Sequence, residues 1–251
     1  MVRIDLNQAL DELEAARGLD RDELVANALL KLGAAYLERG RLEPAAEALE
    51  EAYHHCRQLE NDPGRAQVAL RLAQVDEGRG QLKAAALRLA EALEVFRRQA
   101  DVAGQVSTLE RLSAVLAQAG RLDQAAGCLT EALELAEPSG DKVALVLLNQ
   151  QLAPLLRRLG QREAALAAYE RMGLVAQEIG DRQRLALALV GVGTLQAESG
   201  ARRAGIRNLA QAAEIYAGLG QQTRAAQVGD EIERLRGDGA AAPTAREERE
   251  P

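Results

Sequence analysis

Five glycines, Gly40, Gly80, Gly120, Gly160 and Gly200, recur at a spacing of 40 residues with no insertion between them. A fixed period of this size is the signature of a solenoid, in which each unit buries its apolar face only by stacking on its neighbours. The flanking residues keep the same register. Eight residues ahead of the glycines stand Leu32-Gly33, Leu72-Ala73, Leu112-Ser113, Leu152-Ala153 and Val192-Gly193, each a branched apolar residue followed by a small one. Behind them come Ala45 and Leu49, Ala85 and Leu89, Ala125 and Leu129, Ala165 and Tyr169, Gly205 and Leu209, and then Ala52, Ala92, Ala132, Met172 and Ala212.

Within a unit the apolar spacing is three and four, as in Leu29, Leu32 and Tyr36 or Leu42, Ala45, Ala46, Leu49, Ala52 and Tyr53. That spacing predicts two amphipathic helices per unit, with the central glycine as the turn between them. Half a period away lie Asn61-Asp62-Pro63-Gly64, Ala100-Asp101, Gly140-Asp141, Gly180-Asp181 and Gly220-Gln221. A glycine there closes one helix in the left-handed conformation, and an Asp caps the next. First helices are expected near 22–38, 64–79, 102–119, 142–159 and 182–199, and second helices near 42–59, 82–99, 122–138, 162–179 and 202–219. Apolar residues make up 47% of the chain but aromatics only 2%, so the core must be alanine and leucine. A formal charge of −7 argues against generic binding to nucleic acid or anionic membranes, which needs a basic face. No apolar run approaches the roughly 20 residues of a membrane span, and Met1 to Asp20 lacks a signal peptide's apolar core. With two cysteines only, the expected compartment is the cytoplasm.

The pattern Leu32-Gly33, Tyr36, Gly40, Ala45, Leu49 and Ala52 resembles the tetratricopeptide repeat. The usual repeat is about 34 residues; a longer period is similar to the variant in Pins-type polarity adaptors, kinesin light chains and the sensor domains of some bacterial regulators. The resemblance covers roughly residues 20–236 and implies an all-α, right-handed solenoid of stacked antiparallel helix pairs with about 12 helices. It also implies a habit of binding proteins, but no chemistry.

The same register organises the ends. Val2, Leu6, Ala9, Leu13, Ala16 and Leu19 match Leu42, Ala46, Leu49, Tyr53, Cys56 and Leu59, so 1–19 reads as an N-terminal capping helix, with Asp5 and Glu12 where a preceding partner helix would lie. Residues 222–236 match a first helix, with Glu233 and Arg236 in place of Gly33 and Tyr36, and read as the C-terminal cap. Five helix-pair repeats, 22–219, lie between, so 1–236 is expected as one domain and 237–251 as a flexible tail poor in large apolar residues. Asp76, Gln196 and Asn149 put polar groups at core-leaning positions, a cost unless they reach solvent or a partner. Gly191 and Gly193 inside one helix are expected to soften the fifth unit.

No constellation for catalysis emerges, and no enzyme activity, cofactor or metal site is expected. His54, His55 and Cys56 are consecutive, and consecutive helical residues point about 100° apart, so they cannot converge on one ion. Cys56 and Cys128 read as packed thiols. What remains is the surface of the first helices, which in stacked pairs lines the concave groove. The candidate groove residues are Asn27, Lys31, Gln67, Arg71, Gln74, Ser107, Arg111, Gln150, Gln151 and Arg157. Lys31, Arg71, Arg111 and Gln151 form a column that recurs once per unit. It reads either as solvated helix charge or as a set of forks for carboxylates or backbone carbonyls of a bound segment. By resemblance, this column matches that of the peptide-clamping asparagines of kinesin light chains, with Gln150-Gln151 the nearest polar substitutes. The carboxylate clamp of chaperone-binding repeats is not matched, since Leu30 and Ala34 stand where its first Lys and Asn would be. Pro154 falls inside a helix, either as a tolerated bend or as a residue that frees the Gln150 carbonyl for a ligand. The expected function is a non-enzymatic scaffold or adaptor holding a partner helix or extended peptide in the groove. A ligand- or peptide-sensing regulatory module and a self-associating assembly protein are the alternatives.

Overall fold

The computed structural model describes residues 5–19 and 21–240, the last three by their backbone. Val2 of the expected N-terminal cap and residues 241–251 of the expected tail lie outside the described residues. Among those described there are twelve α-helices and no strand. In order they are α1 (Leu6–Gly18), α2 (Asp22–Leu37), α3 (Leu42–Gln58), α4 (Asp62–Gly78), α5 (Leu82–Arg98), α6 (Val102–Gln118), α7 (Leu122–Ala136), α8 (Lys142–Arg158), α9 (Arg162–Glu178), α10 (Arg182–Glu198), α11 (Arg202–Gly218) and α12 (Gln222–Ala240). A short 3-10 turn, Glu137–Ser139, precedes α8. The fold class is an all-α solenoid of stacked helix pairs. The chain divides into two compact units, Met1–Pro138 and Ser139–Pro251.

The turns follow one scheme. Gly40, Gly80, Gly120, Gly160 and Gly200 all have φ between +69° and +91°, and around Gly40 the Arg41 N–H donates to the Tyr36 carbonyl, closing the helix in a Schellman turn. At the half-period turns the left-handed position is held by Gly140, Gly180 and Gly220, but by Glu60 and Ala100 in the first unit. Gly64 is therefore not a turn residue, contrary to the sequence reading. It sits in the first turn of α4, where its N–H donates to the Asn61 cap at 3.0 Å. Asp101, Asp141 and Asp181 cap α6, α8 and α10 as expected, each accepting from backbone N–H groups at the start of its helix. The second helices α3, α5, α7, α9 and α11 have no side-chain cap.

In the first unit, Leu29, Leu49, Leu89, Leu109 and Leu129 are fully buried, and Ala45, Ala52, Ala85, Ala92, Ala125 and Ala132 let the helices approach around them. Gly33 belongs to the same device: a Cβ there would lie 2.5 Å from Leu49 Cγ, so the leucine seats directly on α2. Asp5 is exposed and is the N-cap of α1, accepting from the Asn7 N–H at 2.9 Å. Glu12, partly exposed, pairs with Lys31 on α2 at 2.7 Å, a charged partner for a carboxylate on the packed helix α1.

In the second unit, Leu148, Met172 and Leu209 are fully buried; Leu209 continues the column of Leu49, while Met172 stands in that of Ala52. Gly191 and Gly193 are close contacts: a Cβ at Gly191 would lie 2.5 Å from the Tyr169 ring, and one at Gly193 would lie 2.8 Å from the Gly205 carbonyl oxygen. Asn149 donates to the Leu145 carbonyl, and Gln196 accepts from Asn208, so both buried-side polar groups find partners. Pro154 lies on the exposed side of α8, which runs unbroken from Lys142 to Arg158. The last helix covers Ile215 and Tyr216 with Val228, Ile232 and Leu235. Glu233 and Arg236 are exposed and paired to each other at 2.7 Å. Four residues assigned to the tail, 237–240, continue α12, although two of them, Gly237 and Gly239, have low helix propensity.

Candidate functional site

Helical periodicity places Lys31 and Ala34 on one stripe of α2, Gln67, Arg71 and Gln74 on one stripe of α4, and Ser107 and Arg111 on one stripe of α6. Their neighbours Leu29, Leu72 and Leu109 are buried, which turns the stripes to the opposite side. Together they line a pocket of about 500 Å³ with Leu30 and Leu70 as its apolar floor. Six of the ten expected groove residues, Lys31, Gln67, Arg71, Gln74, Ser107 and Arg111, therefore meet at one place in the first unit.

Its lining carries three cations and no carboxylate, but the cations are not equivalent. Lys31 Nζ lies 2.7 Å from Glu12 Oε2, and this bond holds the Glu12 carboxyl below its ordinary range. Arg111 donates through Nη2 to Glu77 Oε1 at 2.9 Å and through Nη1 to the Leu70 carbonyl at 3.3 Å. Arg71 donates to Gln74 Oε1 at 3.1 Å, an uncharged acceptor. Two rungs of the basic column thus face carboxylates of the protein itself, while the middle one bonds a neutral amide.

The remaining candidates are dispersed. Asn27 is exposed on α2 and does not line the pocket. In the second unit, Gln150 accepts from Arg184 Nε at 3.1 Å and lines a separate pocket of about 360 Å³. Gln151 is half-buried on α8, and Arg157 pairs with Glu198 at 2.5 Å; neither lines that pocket. The sequence reading missed Arg184, Tyr216 and Arg224, which do. The signal was a column that reads Leu24, Gly64, Gly104, Ala144 and then Arg184, Arg224.

The cysteines and histidines stand apart from these pockets. Burial pushes the Cys56 and Cys128 thiols up. His55 Nδ1 lies 3.0 Å from Asp22 Oδ1, tying the end of α3 to the start of α2.

Comparison with known proteins fits this geometry. The sequence pattern described as Tetratricopeptide repeat matches residues 24–98, the stretch from α2 to α5. No curated protein sequence matches. Among solved structures, BtubC (BKLC) from P. vanneervenii is 17% identical, with a TM-score of 0.62, over 98% of this chain and 95% of that one. A Rap protein complexed with Competence and Sporulation Factor is 16% identical, with a TM-score of 0.56, over 94% of this chain and 70% of that one. The nearly identical TPR-like repeats of a putative kinesin light chain from Podosopora anserina give 16% identity and a TM-score of 0.53, over 86% of this chain and 96% of that one. At these identities the likeness speaks for the fold alone. Residues 24–98, from α2 to α5, thus carry the tetratricopeptide-repeat pattern, within an all-α solenoid whose helix pairs and turn glycines keep one register.

Proposed function

We propose that this protein is a non-enzymatic interaction scaffold whose first unit holds a partner protein's helix or extended segment in the groove lined by α2, α4 and α6. The observation that carries the reading is the charge of that groove. In a chain with 38 acidic and 31 basic residues, the lining holds Lys31, Arg71 and Arg111 and no acid. Arg71, bonded only to a neutral amide, supplies a fork for a carboxylate or backbone carbonyl, while Leu30 and Leu70 offer apolar contact beside it. Tetratricopeptide repeats are generally a protein-interaction fold, and the structural neighbour bound to Competence and Sporulation Factor shows such a helical array with a partner in place.

A photo-crosslinking residue at Gln67, inside the groove, tests this in lysate of the native cell. A control residue at Leu87, which is 65% exposed on α5, samples a second helix. The reading expects a discrete adduct from position 67, absent from position 87 and lost when Arg71 and Arg111 are reversed to Glu. Equal labelling from both positions would count against it.

A further inference from the structure

We infer that the second unit carries its own recognition site, a pocket between α8, α10 and α12 that takes a peptide carboxylate presented beside an aliphatic side chain. The inference rests on the reading of the chain as a holder of protein segments. The pocket of about 360 Å³ falls within the range of ligand sites and fits a few side chains, not a whole helix. Its charged lining is Arg184 and Arg224, with no carboxylate, in a chain whose acids outnumber its bases.

Both guanidinium groups are positioned by contacts of their own. Arg184 donates through Nη1 to Asp181 Oδ2 at 2.5 Å and through Nε to Gln150 Oε1 at 3.1 Å, which fixes the plane and leaves Nη2 unbonded. Arg224 lies over the Tyr216 ring, 5.7 Å from its centroid, and donates to Gln221 Oε1 at 3.1 Å. Gln221 and Gln150 are uncharged, so only Asp181 offsets the pair and one positive charge remains uncompensated. An arginine already held in plane gives up little freedom when it bonds a carboxylate. The apolar half comes from Leu187 and Val190, one turn apart on α10, and Val228 on α12. Leu187 is 37% exposed, an apolar surface that an aliphatic neighbour of the carboxylate would cover.

Arg184 and Arg224 occupy the column of Leu24, Gly64, Gly104 and Ala144, so the first unit has no counterpart of this fork. The two pockets therefore differ in kind: a longer trough with one uncompensated arginine, and a compact fork with an apolar wall.

The test uses the full chain and N-acetyl-Leu-Glu-Leu-Glu-Leu-amide, followed through the arginine Nε–Hε resonances. Saturable shifts are expected at Arg184 and Arg224, weakened at least tenfold in the all-Gln analogue, by raised salt, and in Arg224→Gln. Arg184→Gln, with helicity checked by circular dichroism, serves as the second variant. Equal binding of the Gln analogue overturns the inference, as does the absence of saturable shifts at either arginine. Succinate binding as tightly as the peptide would make this a small-anion site and overturns it too. Shifts confined to Arg71 and Arg111 reject the second site while leaving the groove reading intact; shifts at Arg184 and Arg224 alone do the reverse.

Discussion

Ala100 holds a left-handed backbone, φ +53°, at the turn where the later repeats use Gly140, Gly180 and Gly220. A residue with a Cβ pays roughly 1–2 kcal/mol for that conformation. Ala100→Gly is therefore expected to raise the unfolding free energy by about 1 kcal/mol, read by chemical denaturation; an unchanged or lower midpoint would contradict it. Asp76 is the other residue out of keeping with its column, which otherwise holds Tyr36, Leu116, Leu156 and Gln196. Its burial raises the carboxyl above the ordinary value of 3.8, with Arg88 and Arg79 partly opposing the shift. A raised folded pKa means that the folded state takes up the proton more readily than the unfolded one. The ionised group thus costs stability above the folded pKa, and that cost fades as pH falls through it toward 3.8. Asp76→Asn should be more stable than the parent at pH 7, with the gap closing toward pH 4. A gap that widens on acidification would refute this. The leucines, alanines and turn glycines of the period were legible because each is a local requirement repeated five times. Arg184 and Arg224 were not, because their meaning depends on Tyr216 from α11 and Gln150 from α8 coming to the same place.

Among the elements, α12 stands out as a helix that closes a core without a partner of its own. Val228, Ile232 and Leu235 are buried against a cluster that includes Leu209, Ala212, Ile215 and Tyr216. At about 1.5–3 kcal/mol for each large apolar side chain, stopping the chain after Gly220 should cost more than about 4 kcal/mol. Stopping it after Ala240 keeps Val228, Ile232 and Leu235. Thermal unfolding of the two truncations should separate them widely, and equal melting temperatures would show that α12 is not a cap. The helix itself was visible in the sequence through Gly229 and Ile232 in register with Leu29 and Leu32. Its length was not, since residues 237–240 carry no periodic apolar residue to mark them.

For the whole molecule, the unbroken spacing from Gly40 to Gly200 is the basis for proposing 1–236 as one domain. Calorimetry should then give one transition whose van't Hoff and calorimetric enthalpies agree; two resolved transitions would divide it. The first unit's groove is proposed to bind through charge that the protein leaves uncompensated. Lys31 and Arg111 already face Glu12 and Glu77, so Arg71 should dominate. Charge-assisted hydrogen bonds contribute about 1.5–3 kcal/mol, where about 1.4 kcal/mol is a factor of ten. The deciding measurement is the Kd of the segment crosslinked at position 67, titrated by calorimetry against the parent protein and against Arg71→Glu at physiological salt. Arg71→Glu should bind at least tenfold more weakly with its circular dichroism unchanged. An Arg71→Glu protein that keeps its helicity and binds that segment with undiminished affinity would contradict it.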